Sequence, residues 1–209
     1  VTDGEPAAAE ARTRLRTALE GDPVGAAREL LGAVLRHGPV ALRVVETEAY
    51  DGRVDEASHS FRGETDRTRV MFGPAGRLYV YFSYGMHWAA NVSCSEVGHG
   101  AAVLLRAGEV IDGVEFARDR RGPRVTDRDL ARGPGRLTQA LGIDRRHYGA
   151  DLLAGTEIDG VPLRLEPRTH APEVATGPRV GISRSVDLPW RFWIPGDRYV
   201  SAFRPGQRR

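Results

Sequence analysis

Between Val45 and Arg106 the chain gathers side chains that could activate water beside a flat ring. They are Glu46, Glu48, Tyr50, His59, Tyr79, Tyr81, Tyr84, Asn91 and Arg106. A carboxylate can take a proton from water, and an arginine can hold that carboxylate in place. Tyrosine and histidine rings make walls for a planar ligand, while an asparagine amide can read its edge. Glu48 and Tyr50 lie two residues apart, so a straight strand directs both into one pocket. Tyr84 departs from the Tyr79/Tyr81 parity and precedes Gly85, as a residue at a hairpin tip does. Residue types alone do not decide the matter. Tyr79 and Tyr81 taken singly read as core, and Glu48 as an ion-pair partner, a reading that Glu46 keeps. His59, His87 and His99 read as capping or surface histidines, Cys94 as a small buried residue, and the run from Arg118 to Arg121 as a solvated helix end.

The elements that must position these groups are legible in outline. Pro6 to Leu19 has helical spacing. Asp22-Pro23 offers an N-cap and a first-turn proline for a second helix to about Arg36, with Leu30, Leu31, Val34 and Leu35 as its apolar stripe and His37-Gly38 as its stop. Ala41 to Tyr50 alternates as a strand, which if straight puts Leu42, Val44, Glu46, Glu48 and Tyr50 on one side. A polar stretch from Asp51 to Gly76 is too long for a plain connection. Arg77–Ser83 and His87–Ser95 read as partner strands around Tyr84-Gly85, and Ala101–Arg106 as another. A helix is expected from about Glu109 to Arg118, and a second from Gly133-Pro134 to Leu141, closed by Gly142. Asp159-Gly160 is a hairpin signal, and Arg191–Ile194 and Tyr199–Phe203 are aromatic strand candidates. The domain expectation is residues 6–204, with short tails at 1–5 and 205–209.

Composition narrows the class. At 209 residues, 41% hydrophobic and 28% charged, the chain suits one globular domain. One cysteine excludes an intrachain disulfide framework and a cysteine zinc cluster. No apolar run approaches a membrane span and no leader pattern opens the chain, so the expected compartment is the cytoplasm. All 30 basic residues are arginine. Arginine suits phosphate oxygens, and without lysine the usual amine for a Schiff base is missing. The net charge of +2 says little about nucleic acid, so a DNA-binding face must come from local arrangement.

Several ordered motifs then coincide. Val45-Glu46-Thr47-Glu48-Ala49-Tyr50 followed by Ala57-Ser58-His59-Ser60 resembles the catalytic stretch of the alkyladenine (3-methyladenine) DNA glycosylases. Met71-Phe72-Gly73-Pro74, Leu78-Tyr79-Val80-Tyr81 and Tyr84-Gly85-Met86 are similar to that family's hairpin signature. Asn91-Val92-Ser93, Val103-Leu104-Leu105-Arg106, Gly133-Pro134 with Leu137–Leu141, and Arg179-Val180-Gly181 continue the likeness, which runs from roughly Pro23 to Ser201.

The resemblance implies an α+β fold: a single domain with a mostly antiparallel curved β-sheet flanked by helices and a protruding β-hairpin. It implies a monofunctional bacterial-type repair enzyme, expected at the nucleoid, which flips damaged purines out of double-stranded DNA and hydrolyses the N-glycosidic bond. Glu48 would be the general base and Arg106 would help hold it and the water. Tyr50, His59 and Tyr81 would wall the base pocket, with backbone hydrogen bonds from Ala57 and His59. Asn91 would disfavour guanine, and Tyr84 would fill the gap left by the extruded nucleotide. Met86, Gly133 and Arg136 are expected DNA contacts, Arg136 beside a helix start that suits phosphate. No cofactor, metal or membrane is expected, and the protein is expected to act as a monomer. Cationic bases such as 3-methyladenine leave readily, whereas neutral ones such as hypoxanthine need more help. Two other classes stay open: a non-catalytic damage-binding module using Tyr84, and a metal hydrolase using Glu48, His59 and His87.

Overall fold

A computed structural model describes residues 4–83 and 85–206. Helix α1 (Gly4–Glu20) starts two residues before Pro6 and buries Leu15 and Leu19. Asp22 caps α2 (Pro23–Glu29), its carboxylate accepting from the amides of Val24 and Gly25 at 2.9 Å each. The helix expected to reach Arg36 ends there. Gly32 takes a left-handed φ of 86° and gives its N–H to the Val44 carbonyl, so Val34–His37 becomes strand β1. The spacing of Leu30, Leu31, Val34 and Leu35 fits either period, and pairing with a neighbouring strand decides it. Gly38, read as a helix stop, is instead the turn of the hairpin between β1 and β2 (Val40–Asp51).

The described strands form one sheet, every pair antiparallel. Its remaining members are β3 (Leu78–Ser83), β4 (His87–Ser93), β5 (Ala101–Asp112), β6 (Thr156–Ile158), β7 (Val161–Glu166), β8 (Ala175–Gly177) and β9 (Arg191–Trp193). The order is β3-β4-β5-β2-β1-β7-β6. Along one edge β2 pairs with β1 up to Arg43 and with β9 from Glu46 onward, and its other edge runs along β5 throughout. The change of partner coincides with a bulge: Val44 faces Gly108 and Glu46 faces Ala107, leaving Val45 extra. A bulge bends the strand and reverses its alternation. The single side expected for Leu42, Val44, Glu46, Glu48 and Tyr50 is therefore split. Leu42 and Val44 join the main core, while Glu46, Glu48 and Tyr50 face the other way. Opposite the bulge only glycine fits, because a Cβ on Gly108 would lie 2.2 Å from Leu42 and 2.7 Å from the Arg43 carbonyl oxygen.

Helices α1, α2, α4 (Val114–Arg121) and α5 (Pro134–Leu141) cover one face of the sheet, and a short α3 (Arg69–Phe72) lies within the long 51–76 connection. The strand β5 runs on through Glu109–Asp112, so α4 starts later than the helix expected from Glu109. Its arginines are not a solvated end. Arg120 donates to the Ala140 carbonyl and Arg121 to the Leu130 carbonyl and the Gln139 side chain, tying α4 to α5. Asp159 and Gly160, at φ 52° and 77°, make the tight turn between β6 and β7. Residues 199–203 form no strand, because the Ser201 N–H goes to the Glu46 carboxylate at 2.7 Å rather than to a ladder. Cys94 is fully buried, and burial pushes its thiol pKa up. No helix among the described residues is long and apolar enough to cross a membrane.

Candidate active site

Alternation on four adjacent strands builds the site. Leu78 and Val80, Ala90 and Val92, Val103 and Leu105, and Ala49 point into the helix-covered core. Their neighbours Tyr79, Tyr81, Asn91, Leu104, Arg106, Glu48 and Tyr50 all line one cavity of about 1110 Å³ on the opposite face. The pairings set Tyr79 beside Asn91, Asn91 beside Leu104 and Leu104 beside Glu48. Four side chains thus form a row about 15 Å long at ordinary strand spacing.

Glu48 lies at the floor of this cavity and is fully buried. One carboxylate oxygen accepts the Val180 N–H at 2.7 Å, and the other accepts the Tyr50 hydroxyl at 2.9 Å. Arg106 Nε stands 3.5 Å from Glu48 and 3.3 Å from Glu46, in ion-pair range but out of line for a hydrogen bond. Burial raises the Glu48 pKa. Arg106, the Val180 amide and the Tyr50 hydroxyl pull it back down, while the Glu46 charge adds to the rise. Such a carboxylate holds a proton more readily than one in water and can accept one from a neighbouring molecule.

Glu46 has the structural place expected of it. It takes Arg191 Nε at 2.7 Å and both the amide and hydroxyl of Ser201. The walls are aromatic. His59 meets Tyr81 edge-on at 4.6 Å between ring centres, and its Nδ1 lies 3.0 Å from the Tyr79 hydroxyl. Burial, and then the charge of Arg67, depress the His59 pKa to about 4, so the ring is neutral near pH 7. Asn91 donates to the Tyr79 carbonyl at 3.2 Å, which fixes its amide. Ala57 also lines the cavity, although its N–H is engaged by Asp55 at 3.0 Å.

Farther out, Gly133 and Arg136 line the same cavity at the start of α5, with Arg136 paired to Asp129 at 3.0 Å. Met86 is exposed at the turn between β3 and β4. Tyr84 lies outside the described residues. Among the described residues no three His, Cys, Asp or Glu side chains cluster as metal ligands. His99 is half-buried against Asp51, at 2.8 Å, and forms no part of the cavity.

Sequence reasoning missed four participants. The Val180 amide is the shortest contact to Glu48, and a backbone donor has no residue-type signature. Arg179 next to it is buried against Asp55, donates to the Ala49 carbonyl and lies over the Tyr50 ring at 4.6 Å. Its place in the Arg179-Val180-Gly181 motif was the available signal. Arg191 and Arg67 were the other two.

The model of the methylpurine-DNA glycosylase family matches residues 17–198. The chain belongs to that family. This glycosylase is 53% identical over 194 residues to the "Putative 3-methyladenine DNA glycosylase" of Nocardia farcinica, with 90% of each chain covered. It is 50% identical over 184 residues to the protein of the same name in Corynebacterium jeikeium, covering 85% and 86%. Over 159 residues it is also 50% identical to the Burkholderia lata protein so named, covering 76% of each. Membership makes the chain a DNA glycosylase, a hydrolase of N-glycosyl bonds in DNA repair. The reading as a pure damage-binding module falls with it.

Proposed function

We propose that this glycosylase flips alkylated or deaminated purines, 3-methyladenine and hypoxanthine among them, out of duplex DNA and releases them as free bases. The observation that carries the reading is Glu48: a fully buried carboxylate, raised in pKa, held by fixed donors at the floor of an aromatic-walled cavity. Glu48 takes a proton from water as the water oxygen bonds to the sugar C1′. The glycosidic bond breaks, and its electron pair leaves with the purine nitrogen. Arg106 holds Glu48 and the attacking water. Tyr50, His59 and Tyr81 stack on the base, with hydrogen bonds at the backbone of Ala57 and His59, and Asn91 disfavours guanine through its exocyclic amine. Tyr84 fills the vacated stack, while Met86, Gly133 and Arg136 contact the DNA. One chain supplies every one of these residues, in keeping with action as a monomer.

The test is single-turnover release from a duplex carrying one hypoxanthine, followed by alkali to reveal abasic sites. Glu48→Gln should slow release by about 10²–10⁴-fold, the usual worth of a positioned acid–base group, with lesion binding preserved. Near-normal release by the variant would remove Glu48 from the role. Because the 209 residues contain no lysine, the product should be an intact abasic site. A covalent protein–DNA adduct trapped in good yield by borohydride would contradict that.

A further inference from the structure

Five arginines line the cavity, and three of them have a carboxylate within 4 Å. Arg106 lies between Glu46 and Glu48, and Arg132 and Arg136 share Asp129. Arg67 differs. Among the described residues no carboxylate comes within 4 Å of it, and its guanidinium rests on the aromatic wall. One terminal nitrogen is 3.4 Å and 3.5 Å from the two His59 ring nitrogens, and its carbon is 5.4 Å from the centre of the Tyr81 ring. The placement is built in. Arg67 sits in a turn closed by Thr65 and Thr68, whose hydroxyls lie 2.9 Å apart, and the Tyr148 hydroxyl donates to the Asp66 and Arg67 carbonyls. Its charge adds to the burial that depresses the His59 pKa.

We propose that Arg67 is a specificity-determining residue that discriminates between purines carrying a permanent positive charge and neutral ones. The inference rests on the reading that the base stacks against His59 and Tyr81. Its sign follows from charge bookkeeping. When the C1′–N bond breaks, the base gains an electron pair. A neutral purine moves from zero toward negative charge, and a cationic N-methylpurine from positive toward zero. Relative to the bound state, a nearby positive charge favours the breaking bond in both cases. Relative to free enzyme and DNA the cases differ. Arg67 lowers the transition state for the neutral purine, but it repels the cationic purine on binding and still repels what remains of its charge at the transition state. His59, neutral near pH 7, supplies no competing cation.

The experiment compares wild type, Arg67→Met and Arg67→Lys on duplexes with a single hypoxanthine or a single 3-methyladenine, as single-turnover rates over a range of enzyme concentrations. Arg67→Met should lower the maximal rate for both bases. For 3-methyladenine it should tighten half-saturation, so the 3-methyladenine-to-hypoxanthine ratio of rate over half-saturation rises about three- to tenfold, a modest value for one partly screened charge. Arg67→Lys keeps the charge and should restore the wild-type ratio. In Arg67→Met the His59 ring should titrate at higher pH by NMR. An unchanged ratio overturns the proposal, and so does equal loss on both substrates through half-saturation alone, the mark of a phosphate contact. Release of neither base by wild type would overturn the stacking reading as well.

Discussion

Glu48 carries a cost that its own chemistry requires. Its pKa is raised by burial, so the folded protein binds that proton more tightly than the unfolded chain does. Below the unfolded value of 4.5 both states are protonated and nothing is lost; as pH rises through the folded value the penalty grows, and above it the penalty is complete. Glutamine is nearly the same shape and escapes the penalty, while its amide can still meet the Tyr50 hydroxyl and the Val180 N–H. Glu48→Gln should therefore raise Tm at pH 7.5 by about 2–4 °C for each kcal/mol recovered, with the gain fading toward pH 4. Thermal unfolding across that range checks it, and a lower Tm at pH 7.5 would show that the three groups holding the carboxylate outweigh its burial. At this scale much was legible. Glu48, Tyr50, His59, Tyr81, Asn91 and Arg106 all meet in one cavity. What stayed hidden was the amide that orients Glu48, since any residue at position 180 except proline could donate it, and Arg67, whose type is shared with 29 other positions.

Elements were legible where local chemistry fixes them and illegible where pairing does. The Asp22 cap, the Gly142 stop after α5 and the Asp159-Gly160 turn follow from neighbouring residues, and all three are present. β1 was read as helix because its apolar spacing suits both periods, and the bulge at Val45 has no local signature at all. It is legible only from the partner strand, where Gly108 makes room. The hairpin of β3 and β4 carries a prediction of its own. Its strands are paired without a break from Leu78–Val92 to Ser83–His87, so the connection between them is mounted on a continuous ladder. In the wedge role proposed for Tyr84, the residue should act on flipping and not on bond cleavage. Tyr84→Ala should push an ethenoadenine back into the stack, costing roughly 1–3 kcal/mol of stacking, while Tyr84→Phe stays close to wild type. Fluorescence of the ethenoadenine reports stacking apart from excision. Full flipping by Tyr84→Ala would assign the wedge to another side chain.

At the scale of the whole molecule, a buried histidine pair joins distant parts of the chain. His37 on β1 donates from Nδ1 to the Leu141 carbonyl at the end of α5, 2.8 Å away, and its Nε2 lies 3.3 Å from Nε2 of His147. Burial depresses the His37 pKa; His147 and Arg120 push the same way, while the Leu141 carbonyl and Asp144 oppose. The unfolded chain therefore takes up this proton first, and stability should fall as pH drops below about 6.5. His37→Asn, whose amide can keep the Leu141 bond, should lessen the slope of Tm against pH between 6.5 and 5, the remainder belonging to His59, depressed to about 4; an unaltered slope would clear the pair of the effect. The contact between Glu48 and the Val180 amide spans a greater distance still, 132 residues of sequence. A ribosome adding roughly 5–20 residues per second makes that amide about 7 to 26 seconds after the carboxylate. On the role proposed for Glu48, competence to cut a glycosidic bond should thus arrive late in translation, and an abandoned fragment ending before the Arg179-Val180-Gly181 stretch lacks the amide that orients the carboxylate.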